Sequence, residues 1–270
     1  MKIFLNILFV NILILIFLLV LIEIITRIFL NFYIGNSTAG LKERQANLIY
    51  QPFVMYGINW DKKIEDINKI NSNYKILIIG GSTAELFPEK IIKEDFLEKL
   101  KLDTAVYNLA FGGYVSRQQM ISLILYIDKI KPDLVISIDG ANDIIHSLRQ
   151  EKHGNFLLNE TYSILLTKPY FGPVIWLLQN SQFYNSLVRY FDRKKIYNFE
   201  DKKLFLENYV NTLSKIKLIA ESYGSQFIHV LQPHIEFKNL KSPKEKLFTH
   251  YDYRKNFVIE SYNFISKRLI

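Results

Sequence analysis

Three short runs of β-forming residues in this chain each break off into a loop of glycine, serine or asparagine. Lys75-Ile-Leu-Ile-Ile79 leads into Gly80-Gly81-Ser82-Thr83, and Thr104-Ala-Val-Tyr-Asn108 leads into Leu-Ala-Phe-Gly112-Gly113. Leu134-Val-Ile-Ser-Ile138 leads into Gly140-Ala-Asn142-Asp143. A strand that is apolar at successive positions is buried on both faces, which calls for a parallel sheet between two layers of helices. The segments between the runs read as those helices. Pro88 suits the first turn of one reaching about Leu100, with Ile91, Ile92, Phe96, Leu97 and Leu100 on one face. Ser116 is placed to cap another over Arg117 to Ile130, ended by Lys131-Pro132. Further on, a helix from about Asp201 to Tyr223 precedes a fourth strand, Gln226 to Gln232, and a last helix runs from about Tyr251 to Leu269. In an α/β sheet of this kind ligands sit beyond the carboxyl ends of the strands, where all three loops fall.

The amino terminus obeys a different rule. From Ile3 to Ile22 no residue is charged, about twenty residues, enough to cross a hydrocarbon core at 1.5 Å per residue. The run continues into bulky Glu23-Ile-Ile-Thr-Arg27, without the small-residue pattern of a cleavage site. An uncleaved anchor is therefore expected over residues 1–33, with Glu23 and Arg27 paired four residues apart. Residues 34–73 read as a juxtamembrane linker whose aromatic pieces, Tyr50 to Phe53 and Tyr56 to Trp60, pack on the domain edge. Residues 74–270 read as the α/β domain, interrupted by an aromatic-rich insertion over about 150–200 that is placed to cap the site. Basic residues flank the span on both sides, so charge does not orient it. The expected location is a single-pass membrane protein with its folded domain outside the cytoplasm.

Composition closes several doors. The chain has no cysteine, so disulfides and thiolate metal sites are excluded. Its net charge of +8 fits solvated faces near an anionic lipid surface, and no nucleic-acid motif accompanies it. His146, Glu151 and His153 match no usual zinc spacing, and neither metal nor cofactor is expected.

Each loop has an ordinary explanation as well as a chemical one. Gly80-Gly81-Ser82 lacks the spacing of a dinucleotide fingerprint, of a P-loop and of Gly-x-Ser-x-Gly. Alone, it is a tight turn with a capping serine. Gly112-Gly113 alone is a turn, and Asn142-Asp143 alone is a helix cap. Taken together they offer a hydroxyl nucleophile, a freely directed backbone N–H and a side-chain amide, the equipment of acyl transfer.

In this order, Ser, then Asn-x-x-x-x-Gly, then Gly-x-Asn-Asp, the chain resembles the SGNH (GDSL-like) hydrolase family over roughly Tyr74 to Pro233. Its first block resembles the Gly-Gly-Ser-Thr variant of membrane-anchored members. The resemblance implies a flavodoxin-like three-layer parallel sheet, with Ser82 as nucleophile and Gly113 and Asn142 as oxyanion donors. It implies a serine esterase acting on an ester of a glycan or lipid, such as an acetyl ester. The alternatives are an O-acyltransferase using the same serine, and an inactive domain kept for binding.

The family's carboxyl-terminal Asp-x-x-His is not found after Pro233. Either a further tail carries it or another base serves. His234, just past the fourth strand, and His146, in Asp143-Ile-Ile-His146, are the candidates. His229 reads as a packed or flanking strand residue, and His250 as a surface or capping one.

Overall fold

A computed structural model describes residues 2–34, 49–69, 72–149, 167–192, 199–237, 242 and 252–269. The turn at 35–40, Glu151, His153, the aromatic piece Tyr162 to Leu166, the basic clusters at 193–195 and 238–246, and His250 lie outside the described residues. The chain forms two compact units, Met1–Asn47 with Glu160–Lys195, and Leu48–Asn159 with Ile196–Ile270.

The first unit holds the long helix α1 (Lys2–Ile34), whose stretch Asn6–Phe29 has a mean hydropathy of 3.2 and no fully buried residue. It is long and apolar enough to cross a membrane. The expected pair forms, with Arg27 Nε 2.8 Å from Glu23 Oε1.

The second unit opens with a hairpin, β1 (Ile49–Gln51) and β2 (Met55–Gly57), and a helix, α2 (Trp60–Asn68). Its sheet contains β3 (Tyr74–Gly80), β4 (Thr104–Asn108), β5 (Leu134–Asp139) and β6 (Gln226–Leu231). All neighbours are parallel and the order is β4-β3-β5-β6. Counted along the chain, that is second, first, third, fourth, the order of a flavodoxin-like sheet. Between the strands lie α3 (Ser82–Glu85), α4 (Glu89–Asp95, continued by a wider turn to Leu100), α5 (Ser116–Ile130), α6 (Ala141–Arg149) and α9 (Phe199–Ser222). A last helix, α10 (Asp252–Leu269), follows β6.

The continuous apolar run of β3 does what its pattern requires. Leu77 and Ile79 join one core cluster with Trp60, Leu123, Ile127, Leu213, Ile216 and Ile265, drawn from α2, α5, α9 and α10. Ile76 and Ile78 join another with Ala84, Val106 and Ile138, backed by Ile92 and Phe96. All four β3 residues are sealed from solvent, and each such burial is worth roughly 1.5–3 kcal/mol. Cover on the second face is uneven. Ile228 and Val230 of β6 remain 49% and 40% exposed there.

The expected cap of α5 is corrected. The helix starts at Ser116 itself, after an extended Val115. Gln118 Oε1 takes the Val115 N–H, and the Ser116 N–H goes to the carboxylate of Asp143, 27 residues along the chain. A remote carboxylate fills the capping place that a local hydroxyl was expected to hold.

The tightest joint is at the end of β3. A Cβ on Gly80 would lie 2.3 Å from the carbonyl oxygen of Ile138 and 2.4 Å from Cβ of Ala84. Only glycine lets the first strand pass that near the third. Gly80→Ala should destabilise the protein by about 1–3 kcal/mol, read as a lowered urea midpoint with unchanged slope. An unaltered midpoint would show that the strand ends have room to separate.

Candidate active site

The order reverses at β3, since the chain leaves it toward β4 and returns to its other side as β5. Sheets of this kind bind ligands at such a reversal. The three loops with Ser82, Gly113 and Asn142 follow β3, β4 and β5, so the fold gathers them at one end of three adjacent strands.

Ser82 is the first residue of the short α3, after an extended Gly81. It is half-buried, and its hydroxyl has no hydrogen-bond partner among the described residues. Asn142 lies in the first turn of α6. Its amide donates to the Tyr114 carbonyl at 2.9 Å, and a Cβ on Gly81 would come 2.6 Å from its nitrogen. The Asn142 amide therefore stands directly against the backbone that carries Ser82. A Cβ at position 81 would have to push that side-chain amide aside, and glycine leaves it in place.

Gly113 has φ +84° and is the third residue of a turn closed by the Tyr114 N–H on the Phe111 carbonyl at 3.1 Å. That conformation costs an L-residue roughly 1–2 kcal/mol, so glycine suits it. The loop is held from below and beside. The Asn108 amide donates to the Ala84 carbonyl at 2.9 Å, and its oxygen accepts from Ala110 N–H at 3.0 Å. Thus the asparagine of the second block ties its loop to α3, behind Ser82. The hairpin and α2 brace the same loop, because Tyr114 packs edge-on against Tyr56 and its hydroxyl donates to the Tyr56 carbonyl. Lys63 Nζ donates to the Asn108 carbonyl at 3.0 Å.

Asn142 and Asp143 were expected, in their bland reading, to cap a helix. Helix α6 starts before both, at Ala141. Asp143 instead caps α5, accepting from Ser116 N–H at 3.0 Å and Ser116 Oγ–H at 2.7 Å. The third loop thereby fixes the helix that leaves the second.

The two candidate bases line different cavities. His146 is buried and lines one of about 40 Å³ with Ser116, Arg117, Asp143 and Tyr209, room for a water molecule among polar groups. His234 lines a groove of about 580 Å³ with Leu231, Gln232, Phe237 and Tyr262. Its Nδ1 accepts the Glu236 N–H at 3.3 Å, so in the neutral ring the proton is on Nε2. Neither imidazole is hydrogen-bonded to Ser82.

His229, expected as a packed strand residue, belongs to a polar network under the site. Its Nε2 lies 2.9 Å from Asp139 Oδ1 and 3.0 Å from the Tyr209 hydroxyl. Tyr209 donates to Asp139 Oδ1, and Ser137 Oγ donates to Asp139 Oδ2 at 2.8 Å. Asp139 was missed in the sequence, although an acid closing a buried strand is a legible signal. Tyr209 carried no such mark within its helix. Burial, and then the charge of Asp139, hold the Tyr209 phenol well above its usual range.

No family model and no curated protein matches the chain. Among solved structures it is similar to a catalytic variant of the acetylxylan esterase Axe2 from Geobacillus stearothermophilus. That match has 16% identity and a TM-score of 0.36, over 72% of this chain and 75% of that one. A GDSL-like lipase from Bacteroides thetaiotaomicron matches at 12% identity and a TM-score of 0.36, over 78% of this chain and 75% of that one. TesA matches at 13% identity and a TM-score of 0.35, over 72% and 73%. The site described above stands on the strand order and the three loops alone.

Asp143 gives the site a pH signature. Desolvation, followed by the nearby charge of Asp139, pushes its carboxyl up to about 7 against the opposing donors of Ser116. An unfolded aspartate titrates near 3.9, so folding favours the protonated form. That contribution is complete below about pH 4 and is lost as the pH rises through about 7. The unfolding midpoint of the protein in detergent should fall over that range. Asp143→Asn, which keeps an acceptor for Ser116 and drops the charge, should flatten the fall. Parallel declines in the two proteins would assign the effect to another group.

Proposed function

We propose that the chain is an ester hydrolase of the SGNH type, tethered to a membrane through α1, with its folded unit outside the cytoplasm. The observation that carries this reading is the approach of the Asn142 amide to Gly81, beside a serine hydroxyl that has no hydrogen-bond partner among the described residues. In the proposed reaction Ser82 Oγ attacks the carbonyl carbon of an ester and gives its proton to a base. The tetrahedral oxyanion accepts hydrogen bonds from the N–H groups of Ser82 and Gly113 and from the Asn142 amide. Collapse expels the alcohol, and water then releases the acyl group from Ser82.

His146 and His234 are the candidate bases among the described residues. His234 must give up its Glu236 contact, or turn, to present a lone pair to the serine. His146 shares its cavity with Asp143, the residue after the amide donor. Esters of envelope glycans or lipids are the proposed substrates, the class within reach of a membrane-tethered domain.

One observation favours a second reading, a binding domain without turnover. Among the described residues no imidazole is hydrogen-bonded to the Ser82 hydroxyl, whereas an activated serine is hydrogen-bonded to its base. Hydrogen bonds of this kind are often long in unliganded enzymes, so chemistry has to separate the two readings.

A fluorophosphonate should label the full-length protein at Ser82, and Ser82→Ala should abolish both labelling and hydrolysis of p-nitrophenyl acetate. Asn142→Ala should lower turnover on the order of 100-fold while leaving thermal unfolding cooperative. Labelling absent in the folded wild type would favour the binding domain. Turnover unchanged in Asn142→Ala would remove the oxyanion assignment.

A further inference from the structure

The first unit contains more than a span. Two short helices, α7 (Gly172–Asn180) and α8 (Gln182–Asp192), meet at Ser181, and α8 packs against α1. The joint is made by Glu23. Its carboxylate accepts from Ser181 Oγ–H at 2.8 Å, Gln182 N–H at 2.9 Å, Phe183 N–H at 3.1 Å and Arg27 Nε–H at 2.8 Å. Ser181 in turn caps α8, its hydroxyl accepting the Tyr184 N–H at 3.0 Å. Glu23 thus faces the positive end of a helix and carries donors on both oxygens, which offsets the cost of a carboxylate beside hydrocarbon.

Position along α1 sets the level of this joint. Glu23 is the first charged residue after the uncharged run Ile3–Ile22, so in a spanning helix it stands where the hydrocarbon gives way to headgroups. The elbow of the helix pair is held at that level. From there the pair presents an apolar surface. Phe171, just before α7, and Val174, Leu177 and Leu178 within it recur at helical spacing, and Leu177 is 61% exposed. Tyr184 and Tyr190 lie along α8, the latter 52% exposed. Charge is sparse, with only Lys168, Arg189 and Asp192 between residues 167 and 192. Exposed tyrosines beside aliphatic side chains suit the interfacial layer of a bilayer.

We propose that α7 and α8 lie in the headgroup layer of the bilayer that α1 crosses, held there by the Glu23–Ser181 joint, so that the protein grips the lipid surface as well as spanning it. This rests on the reading of α1 as a membrane span.

The chain has no cysteine, so each single-cysteine variant of the full-length protein takes one spin label. Leu177→Cys reports on the helix pair, Phe17→Cys on the span, and Leu218→Cys on an exposed site of α9. Each is reconstituted in vesicles of phosphatidylcholine and phosphatidylglycerol, and collisions with oxygen are compared with those of a water-soluble nickel complex. Labels at 17 and 177 should favour oxygen several-fold over the label at 218. In a Glu23→Ala background the label at 177 should move toward the value at 218, with the label at 17 unchanged. A label at 177 that matches 218 while 17 stays in lipid would overturn the proposal and leave the span intact. A label at 17 that matches 218 would overturn the span and the proposal with it. A label at 177 indifferent to Glu23→Ala would refute the joint.

Discussion

Most of the candidate site hangs on a single close approach. At the end of β3 the backbone of Gly80 passes so near the Ile138 carbonyl that no side chain fits there, and that of Gly81 runs against the Asn142 amide. The ladder between β3 and β5 reaches Gly80 and Ile138, so this approach continues the sheet to its last residue. Ser82 and Asn142 come from separate loops, but they inherit the precision of paired strands. Loops hung on a rigid sheet edge hold catalytic geometry better than free loops do.

The same end of the sheet holds charge that the core must compensate. Asp139 is 2% exposed and receives hydrogen bonds from Ser137, Tyr209 and His229. Those donors make its burial tolerable, since an unpaired carboxylate in that place would cost several kcal/mol. Asp143 is bound to the N-terminus of α5 through Ser116 and feels the field of Asp139. The polar layer thus couples the third loop to the helix that follows the second. Its charge bears on the contact that joins the start of α5 to α6, next to Asn142.

In the first unit a comparable role falls to Glu23. It ends the long uncharged run of α1, and three of its four donors come from a helix pair more than 150 residues away along the chain. A side chain that would be a liability in a bare span becomes the place where distant sequence is attached.

Local pattern was enough for the strands. Four runs of β-forming residues between turn-forming ones match the four strands β3 to β6, within a residue or two, and in β3, β4 and β5 burial on both faces leaves no polar alternation to blur them. The three loops were legible for a related reason: glycine, serine and asparagine at successive strand ends stand out against an apolar background. Sequence by itself also determined α1, through length and lack of charge, and the Glu23–Arg27 pair, through helical spacing. Tertiary structure alone decided that Asp143 rather than Ser116 caps α5, and that His229 joins Asp139 and Tyr209. It also decided that Tyr56 and Lys63 brace the second loop, and that Ser181 meets Glu23. Each of these is a contact between residues far apart in the chain, where no periodicity links the partners. Periodicity records which face of an element is buried, while the identity of what buries it is fixed only when the chain closes on itself.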